Sequence, residues 1–513
     1  MGGSRFEMAM GPDARPWRFD FAVADDAGGT PRHVQLARAL VREIQRGRLA
    51  PGARLPGSRT LAASLKLNRK VVVAALDELV AQGWLEALPA RGTQVAQSLP
   101  AMPVADAQPV RARGARGSTT NAVRFTLNDG IPDARLAPLD VIARAQRRAL
   151  TTLGRSGLGY SDPAGDPVLR EVLAHFVNQA RGLACKPEHV LVTRGSQMAL
   201  SLLALTLVER GDVVAVENPG YVPGWRAFEF AGASILHVPV DAQGLVVDVL
   251  EAKAKRLAGR LKAVYVTPHH QYPTTVPLSP ERRMQLRALA EKLGFTIIED
   301  DYDYEYHFDG TPLLPLSAAA SSRRGTVYVA SLSKLIAPAV RLGYIVADSA
   351  LTARASAVRE ILDRQGDIVL ERAIAELIED GELQRHARRA RQIYRERRDV
   401  MLTLLRSDPR LRSMLEVRPP AGGLAFWLSA SETVDIRAWA QAAAARGVGL
   451  TPGSAHLASG NVRAFRAGFA SLTPDELAVV VDLLGASLEE TTPTATDRKS
   501  SHAPSRRSRR LAG

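Results

Sequence analysis

Apolar residues recur at helical spacing early in the chain. Ala37, Leu40, Val41 and Ile44 form one stripe, Leu61, Ala62 and Leu65 a second, and Val72, Leu76 and Leu79 a third. Residues three and four apart share one face of a helix, so three amphipathic helices are predicted. Thr30 before Pro31 is the expected start of the first, a hydroxyl cap followed by a residue that needs no N–H there. Ser58 and Asn68 are the expected caps of the second and third, and Gly83 the expected stop of the third. Residues 84–87 and 93–95 then predict two short strands around a turn at 89–92. Three helices and a hairpin describe a winged helix-turn-helix over residues 30–97.

Beyond residue 122 the pattern changes. Short β-branched runs at 190–192, 213–216, 235–238, 264–266, 295–298, 327–329 and 344–346 alternate with helical stretches that bury one face. That alternation predicts an α/β body over 123–488, with a mainly parallel sheet covered on both sides. Ligands of such sheets sit at the C-terminal ends of the strands. Residues 98–122 mix Pro, Gly, Ala and Arg without periodicity and read as a flexible linker. Residues 489–513 are rich in Ser and Arg and poor in apolar residues, so a disordered basic tail is expected.

Composition narrows the function classes. With 46% hydrophobic and 23% charged residues the chain is globular, and no run approaches the roughly 20 apolar residues of a membrane helix. The opening MGGSRFEMAMGPDARPWRF has no apolar core of a signal peptide, and Cys185 is the single cysteine. A cytoplasmic protein is expected, without an intrachain disulfide or a multi-thiolate metal site. The net charge is +14, and residues 29–97 hold eleven Lys/Arg against four acids. Half of the excess therefore sits in the head, which points to double-stranded DNA as partner. A recognition helix enters the major groove by its N-terminal end, where Asn68, Arg69 and Lys70 stand. Arg59, at the start of the preceding helix, can face a phosphate, and Arg91 and Gly92 at the wing tip suit minor-groove or backbone contact. A solvated basic face is the plainer alternative; the placement of these residues on the three elements of the motif favours DNA.

Candidate chemistry in the body follows the apolar runs. Gly195, Ser196 and Gln197 open a helix after Val192, offering free N–H groups and a hydroxyl to a phosphate, or simply capping the helix. After the run at 295–298 come Glu299, Asp300, Asp301, Asp303 and Glu305. Such a group reads as a metal site, a solvated acidic loop, or the partner of a pyridinium nitrogen. A carboxylate about 4 Å from that cation gains about 4 kcal/mol at an effective dielectric of 20. After Val329 come Ser331, Ser333 and Lys334, then Arg341. A lysine at a strand end in apolar sequence either snorkels or does chemistry. Phosphate donors, an acidic partner and a Schiff-base lysine, in that order, are the parts that pyridoxal 5'-phosphate requires.

The text from Pro31 to Val95 resembles the head of GntR-type regulators, with PGSR and NRKVV near the second and third helices. The body is similar to the fold type I, aspartate-aminotransferase-like, pyridoxal-phosphate enzymes through ENPGY (217–221), HQYPT (270–274), IIEDDYDYE (297–305), SLSK (331–334), RLGY (341–344) and FRAGFA (465–470). Head and body together resemble the MocR subfamily of GntR regulators, over nearly the whole chain. The resemblance implies a large part at about 150–350 and a smaller C-terminal α+β part at about 351–488. Lys334 would form the internal aldimine, Asp300 would face the ring nitrogen, Tyr302 the ring's phenolic oxygen, and Tyr221 would stack on the ring. Gly195, Ser196, Gln197, Ser331, Ser333 and Arg341 would hold the phosphate. Tyr160 would reach the phosphate of the neighbouring subunit, implying a homodimer, compatible with head-to-tail exchange of domains. Arg466 would bind the carboxylate of an amino-acid ligand. Tyr272 stands where aminotransferases carry an asparagine, a role Gln271 or His270 is expected to take over, and Thr275 stands where they carry glycine, so the turn avoids positive φ or is strained.

Two functions follow from the resemblance. One is a ligand-responsive regulator in which an amino compound, or pyridoxal phosphate itself, is sensed by aldimine exchange at Lys334. The other is a working aminotransferase with an auxiliary head. The fused basic head, which a metabolic enzyme does not need, favours the regulator. A DNA-packaging role driven by the tail leaves the cofactor constellation unexplained.

Overall fold

The computed structural model describes residues 31–88, 92–99, 123–127, 130–318 and 325–491. The chain divides into two compact units, 1–118 and 119–513. Thr30, Arg91, nearly all of the expected linker and residues 492–513 lie outside the described residues.

In the first unit α1 (Arg32–Gln45), α2 (Ser58–Leu65) and α3 (Arg69–Ala81) are followed by β1 (Leu85–Leu88) and β2 (Gly92–Val95), paired antiparallel with Leu85 opposite Val95. Of the stripes that the spacing picks out, Ala37, Leu40, Ile44, Leu61, Ala62, Val72, Leu76 and Leu79 are buried and Val41 and Leu65 partly so; Leu36, Leu85 and Val95 join them in a small core. Two expected caps move by one residue. Pro31 rather than Thr30 caps α1, its carbonyl accepting from Val34 and Gln35 N–H, and Gly57 rather than Ser58 caps α2, its carbonyl accepting from Leu61 N–H. Asn68 does cap α3, and Gly83 at φ +77 ends it, with Trp84 N–H returning to Leu79 O at 2.9 Å. The Gly/Pro loop before α2 is more than a connector. Gly52 and Leu55 N–H donate to Val95 O and Thr93 O, and Val95 N–H to Ala53 O, so the loop pairs along β2.

The second unit opens with β3 (Phe125–Thr126), α4 (Leu139–Leu153) and α5 (Pro167–Arg181). Then come β4 (Val190–Thr193), α6 (Ser196–Leu207), β5 (Val213–Asn218), α7 (Val222–Phe230), β6 (Ser234–Asp241), β7 (Gly244–Leu245), α8 (Val247–Ala254), β8 (Leu261–Val266), α9 (Pro280–Leu293), β9 (Thr296–Asp301), β10 (Thr326–Ser331) and β11 (Gly343–Val346). They form one eight-stranded sheet in the order β4-β11-β10-β9-β8-β5-β6-β7. It is mainly parallel; β11 and the edge strand β7 run antiparallel to their neighbours. Helices cover both faces, α6 and α7 over one apolar layer and α8 and α9 over another. Strand β9 runs three residues past the apolar run that announces it. Glu299, Asp300 and Asp301 are therefore in the strand, not in a loop after it.

The remaining chain holds α10 (Ser349–Leu362), α11 (Ile368–Glu379), α12 (Glu382–Ser407), β12 (Leu415–Glu416), β13 (Ala425–Ala430), α13 (Ile436–Ala445), β14 (Val448–Gly449), β15 (Ala464–Gly468) and α14 (Pro474–Thr491). β12, β13 and β15 make a three-stranded antiparallel sheet, and β14 pairs in parallel with β3, tying residues 125–126 to the C-terminal part. α10 packs on α6 and β4, and α11 on α4, α5 and α12. α14 continues to Thr491, which corrects the expected start of a disordered tail at 489: Leu488 still anchors this turn in the core. Among the described residues no helix is long and apolar enough to cross a membrane.

Candidate functional site

A cavity of about 300 Å³ opens at the C-terminal ends of the parallel strands. Ser196, Gln197, Tyr221, Asp300, Tyr302, Ser331, Ser333, Lys334 and Arg341, scattered over 146 residues of sequence, all line it, as do Ile131, Tyr265, Thr267, Tyr272 and Pro338. Lys334 arrives there because β10 ends at Ser331 and the chain turns back as β11, with Ser331 opposite Gly343. Its Nζ donates to Gly130 O at 3.2 Å.

One end of the cavity is built for an anion. α6 begins at Ser196, and Gly195 before it stands at φ +82. A Cβ on Gly195 would lie 2.9 Å from Arg341 Nη2, and one on Gly343 would lie 2.9 Å from the Gly195 backbone. Both glycines let the helix start and the guanidinium close on one point, where free N–H groups and the helix dipole favour negative charge. Arg341 Nη1 donates to Ser333 Oγ at 3.2 Å and Nη2 to Arg194 O at 3.1 Å, which orients the guanidinium.

The other end carries the carboxylate. Alternation along β9 separates the acids. Glu299 accepts from Leu316 N–H and from the Ser317 N–H and hydroxyl, Asp301 from Tyr328 hydroxyl at 2.8 Å, and only Asp300 lines the cavity. Asp303 meets His270 Nδ1 at 2.7 Å and Glu305 pairs with Arg181. The acidic run is thus neither a cluster nor a solvated loop, and among the described residues no group of His, Cys, Asp and Glu is placed to hold a metal ion. Tyr265 hydroxyl donates to Asp300 Oδ2 at 2.9 Å, while Oδ1 is buried without a partner among the described residues. Burial pushes the Asp300 carboxyl up to about 7, against the pull of the Tyr265 hydrogen bond. Tyr302 hydroxyl donates to His270 O at 2.8 Å, and Tyr221 meets the Tyr272 ring edge-on at 5.3 Å.

Several expected residues stand elsewhere. Arg466 is 1% exposed and does not line the cavity; Nη1 donates to Pro273 O at 2.9 Å and the guanidinium lies 4.8 Å from the centre of the Tyr272 ring. Tyr160 is 83% exposed, outside this chain's cavity, with Arg364 over its ring. Neither Gln271 nor His270 lines the cavity. Gln271 is held by Glu217, Pro219 O, Tyr272 O and Thr274, and His270 Nδ1 by Asp303; Tyr272 itself lines the cavity. Thr275 sits at φ +64, so of the two expectations the strained one holds, at about 1–2 kcal/mol for a non-glycine residue. Tyr265, a further cavity residue, is not singled out by the sequence motifs. The alternation of β8, which sends Val264 into one core and Tyr265 toward Asp300, is the signal that could have found it.

In the head, Asn68, Arg69 and Lys70 are exposed at the start of α3, and Arg59 and Gly92 are exposed as well. Asn68 Oδ1 accepts from Lys70 N–H at 2.9 Å, so that side chain already has a capping role. Arg69 Nε reaches Ser58 Oγ at only 3.5 Å and leaves most of its fork open.

Known proteins carry the same arrangement. The aminotransferase class I and II family matches residues 121–484, and the gntR family of bacterial regulatory proteins matches 33–95. The chain is 30% identical to the probable rhizopine catabolism regulatory protein MocR of Rhizobium meliloti, over 84% of this chain and 88% of that protein. It belongs to the MocR-type GntR regulators. As such it is a transcriptional regulator whose DNA-binding head is fused to an aminotransferase-like body. The pyridoxine biosynthesis regulator PdxR of Corynebacterium glutamicum is 32% identical over 79% of this chain and 84% of that one. The body also superposes on LysN, an α-aminoadipate aminotransferase of Thermus thermophilus, with a TM-score of 0.65 and 27% identity over 72% of this chain and 92% of LysN, whose structure holds N-(5'-phosphopyridoxyl)-L-leucine.

A MocR-type body implies pyridoxal phosphate, and the residues of this regulator fit it. Asp300 Oδ1, buried without a partner among the described residues, suits a cationic N–H, and the lack of a Cβ on Gly195 lets the Arg341 guanidinium close on the start of α6, where a phosphate would be held.

Proposed function

We propose that this regulator senses a small amino compound, or the cofactor's own supply, through pyridoxal phosphate held at Lys334. Gly195, Ser196, Gln197, Ser331, Ser333 and Arg341 would bind the phosphate, Asp300 the ring nitrogen, Tyr302 the phenolic oxygen, and Tyr221 the ring face. When bound, the cofactor supplies an aldehyde that condenses reversibly with primary amines. Lys334 then competes with the effector's amine, and Arg466, covered by Tyr272 in this structure, would take an effector carboxylate once Tyr272 moves aside. Differential affinity of the effector for two arrangements of the body is the only way it can shift the heads on DNA. The heads would read operator DNA through Arg59, Asn68, Arg69, Lys70 and the wing tip at Arg91 and Gly92. Tyr160, exposed on this chain, would complete the phosphate site of a second copy, making the working unit a homodimer in the cytoplasm.

The observation that carries this reading is the convergence of Lys334, Asp300 and Arg341 on one cavity in a chain that begins with a DNA-binding head. The test is an absorbance titration of cofactor-loaded protein with a panel of primary amines, alongside operator binding. An amine that shifts the spectrum, alters operator affinity and yields no keto acid supports the regulator. Transamination at ordinary enzymatic rates with operator affinity unchanged would refute it.

A further inference from the structure

A second cavity, of about 200 Å³, lies on the far side of the same strand ends. The alternation that turns Asp300 into the cofactor cavity turns Asp301 the other way. There Asp301 accepts from Tyr328, which in turn accepts from the Arg181 guanidinium at 2.6 Å, and Arg181 pairs with Glu305. Arg181 and Glu305 form one wall. Leu335 forms another, the residue next to Lys334. The peptides of Lys334 and Leu335 are gripped from this side: Tyr306 hydroxyl donates to both carbonyls at 3.2 Å, and His386 Nε2 bonds Leu335 O at 2.9 Å.

The charges around this cavity do not cancel. Arg181 and Glu305 neutralise each other, and on α12 Arg385 and Arg395 are paired with Glu382 and Asp309. Arg388 and Arg391, which line the cavity from that helix, have no ion-pair partner among the described residues. Phe176, Leu335 and Leu383 supply apolar surface, and Gln384 has a buried side-chain oxygen with no hydrogen-bond partner among the described residues. Two open guanidinium groups call for an anion, the apolar walls for a flat body, and the buried oxygen for a hydroxyl or N–H donor. The volume is below the roughly 300–1,000 Å³ of drug-sized sites, which limits the body to one ring.

We propose that this cavity is a regulatory site for a single-ring carboxylate carrying a hydrogen-bond donor, and that its occupancy is felt at Lys334 through the Leu335 peptide. The two sites share a strand end but no lining residue. A ligand here would therefore act with the cofactor in place, which a competitor in the first cavity cannot do.

The test uses the full chain, loaded with pyridoxal phosphate, and 4-hydroxybenzoate as the probe. Calorimetry is expected to show one saturable site per chain, and saturating probe is expected to shift the cofactor's absorbance band. In the charge-reversed variant R388E/R391E, whose substitutions are on exposed positions, affinity is expected to fall at least tenfold while the band without probe is unchanged. Absence of saturable binding, or equal affinity in the variant, would overturn the site, and a silent spectrum at saturation would overturn the link to Lys334. Calorimetry does not depend on the cofactor, so failure here is distinguishable from failure of the cofactor reading, which would show as a protein with no cofactor band at all.

Discussion

Tyr265 hydroxyl donates to Asp300 Oδ2 at 2.9 Å, and Oδ1 of this cavity-lining residue is buried with no hydrogen-bond partner among the described residues. A hydrogen bond to the charged form of a carboxyl favours that form, and an ionised Asp300 is what a protonated ring nitrogen needs. Tyr265→Phe is therefore expected to weaken cofactor binding about tenfold or more, the worth of a buried bond to a charged group at about 1.5–3 kcal/mol. Spectral titration of the apo-protein with pyridoxal phosphate checks this; an unchanged dissociation constant would show that Tyr265 only packs.

The same carboxyl gives the cofactor-free protein a pH dependence of unusual sign. Burial raises Asp300 from 3.8 to about 7, so the folded chain keeps a proton that the unfolded chain has released. Stability is expected to fall as pH rises from about 4 to about 7, and to level off above. Burial raises Glu217 and Glu371 to about 7 as well, adding to the slope. Denaturation midpoints across this range should fall less steeply in Asp300→Asn; equal slopes would place the proton elsewhere.

Gly195→Ala tests the anion corner. The new Cβ would stand 2.9 Å from Arg341 Nη2 and at φ +82, a conformation that side chains rarely adopt. Arg341 must move, and cofactor affinity is expected to drop about tenfold, for a loss of about 1–2 kcal/mol. Cofactor titration measures it, and retained affinity would remove Arg341 from the phosphate site.

In the head, two neighbours are expected to fail differently. Asn68→Ala removes the cap of α3 and lowers stability by about 0.5–2 kcal/mol, whereas Asn68→Ser keeps the cap. Arg69→Ala is expected to leave melting unchanged and weaken operator binding by about 1–3 kcal/mol. Melting curves and operator titrations separate the two; operator affinity unchanged in Arg69→Ala would move recognition away from the start of α3.

What the sequence revealed follows from physical distance along the chain. The strands are legible because β-branched runs stand between capped helices, and Asp300, Lys334 and Arg341 because strand ends are where such sheets bind ligands. The caps at Pro31 and Gly57 lie one residue from the expected Thr30 and Ser58 because a proline or glycine supplies only a backbone carbonyl, which leaves no side-chain signature. Tyr265 hid inside an apolar run, where a tyrosine reads as core until the facing strand places Asp300 opposite its hydroxyl. Arg466 was legible as a residue but not as a buried one, since its cover, Tyr272, lies 194 positions earlier in the chain. The pairing of Gly52 and Leu55 with β2 is a backbone event that a Gly/Pro loop does not announce.

The central claim is a covalent link between one amine of this chain and an aldehyde cofactor. Protein prepared with ample pyridoxal phosphate, reduced with borohydride and mapped by peptide mass, is expected to carry a single tag, on Lys334 in the peptide containing SLSKLIAP, with none in Lys334→Ala. A tag on another lysine, or an untagged SLSKLIAP peptide, would contradict it.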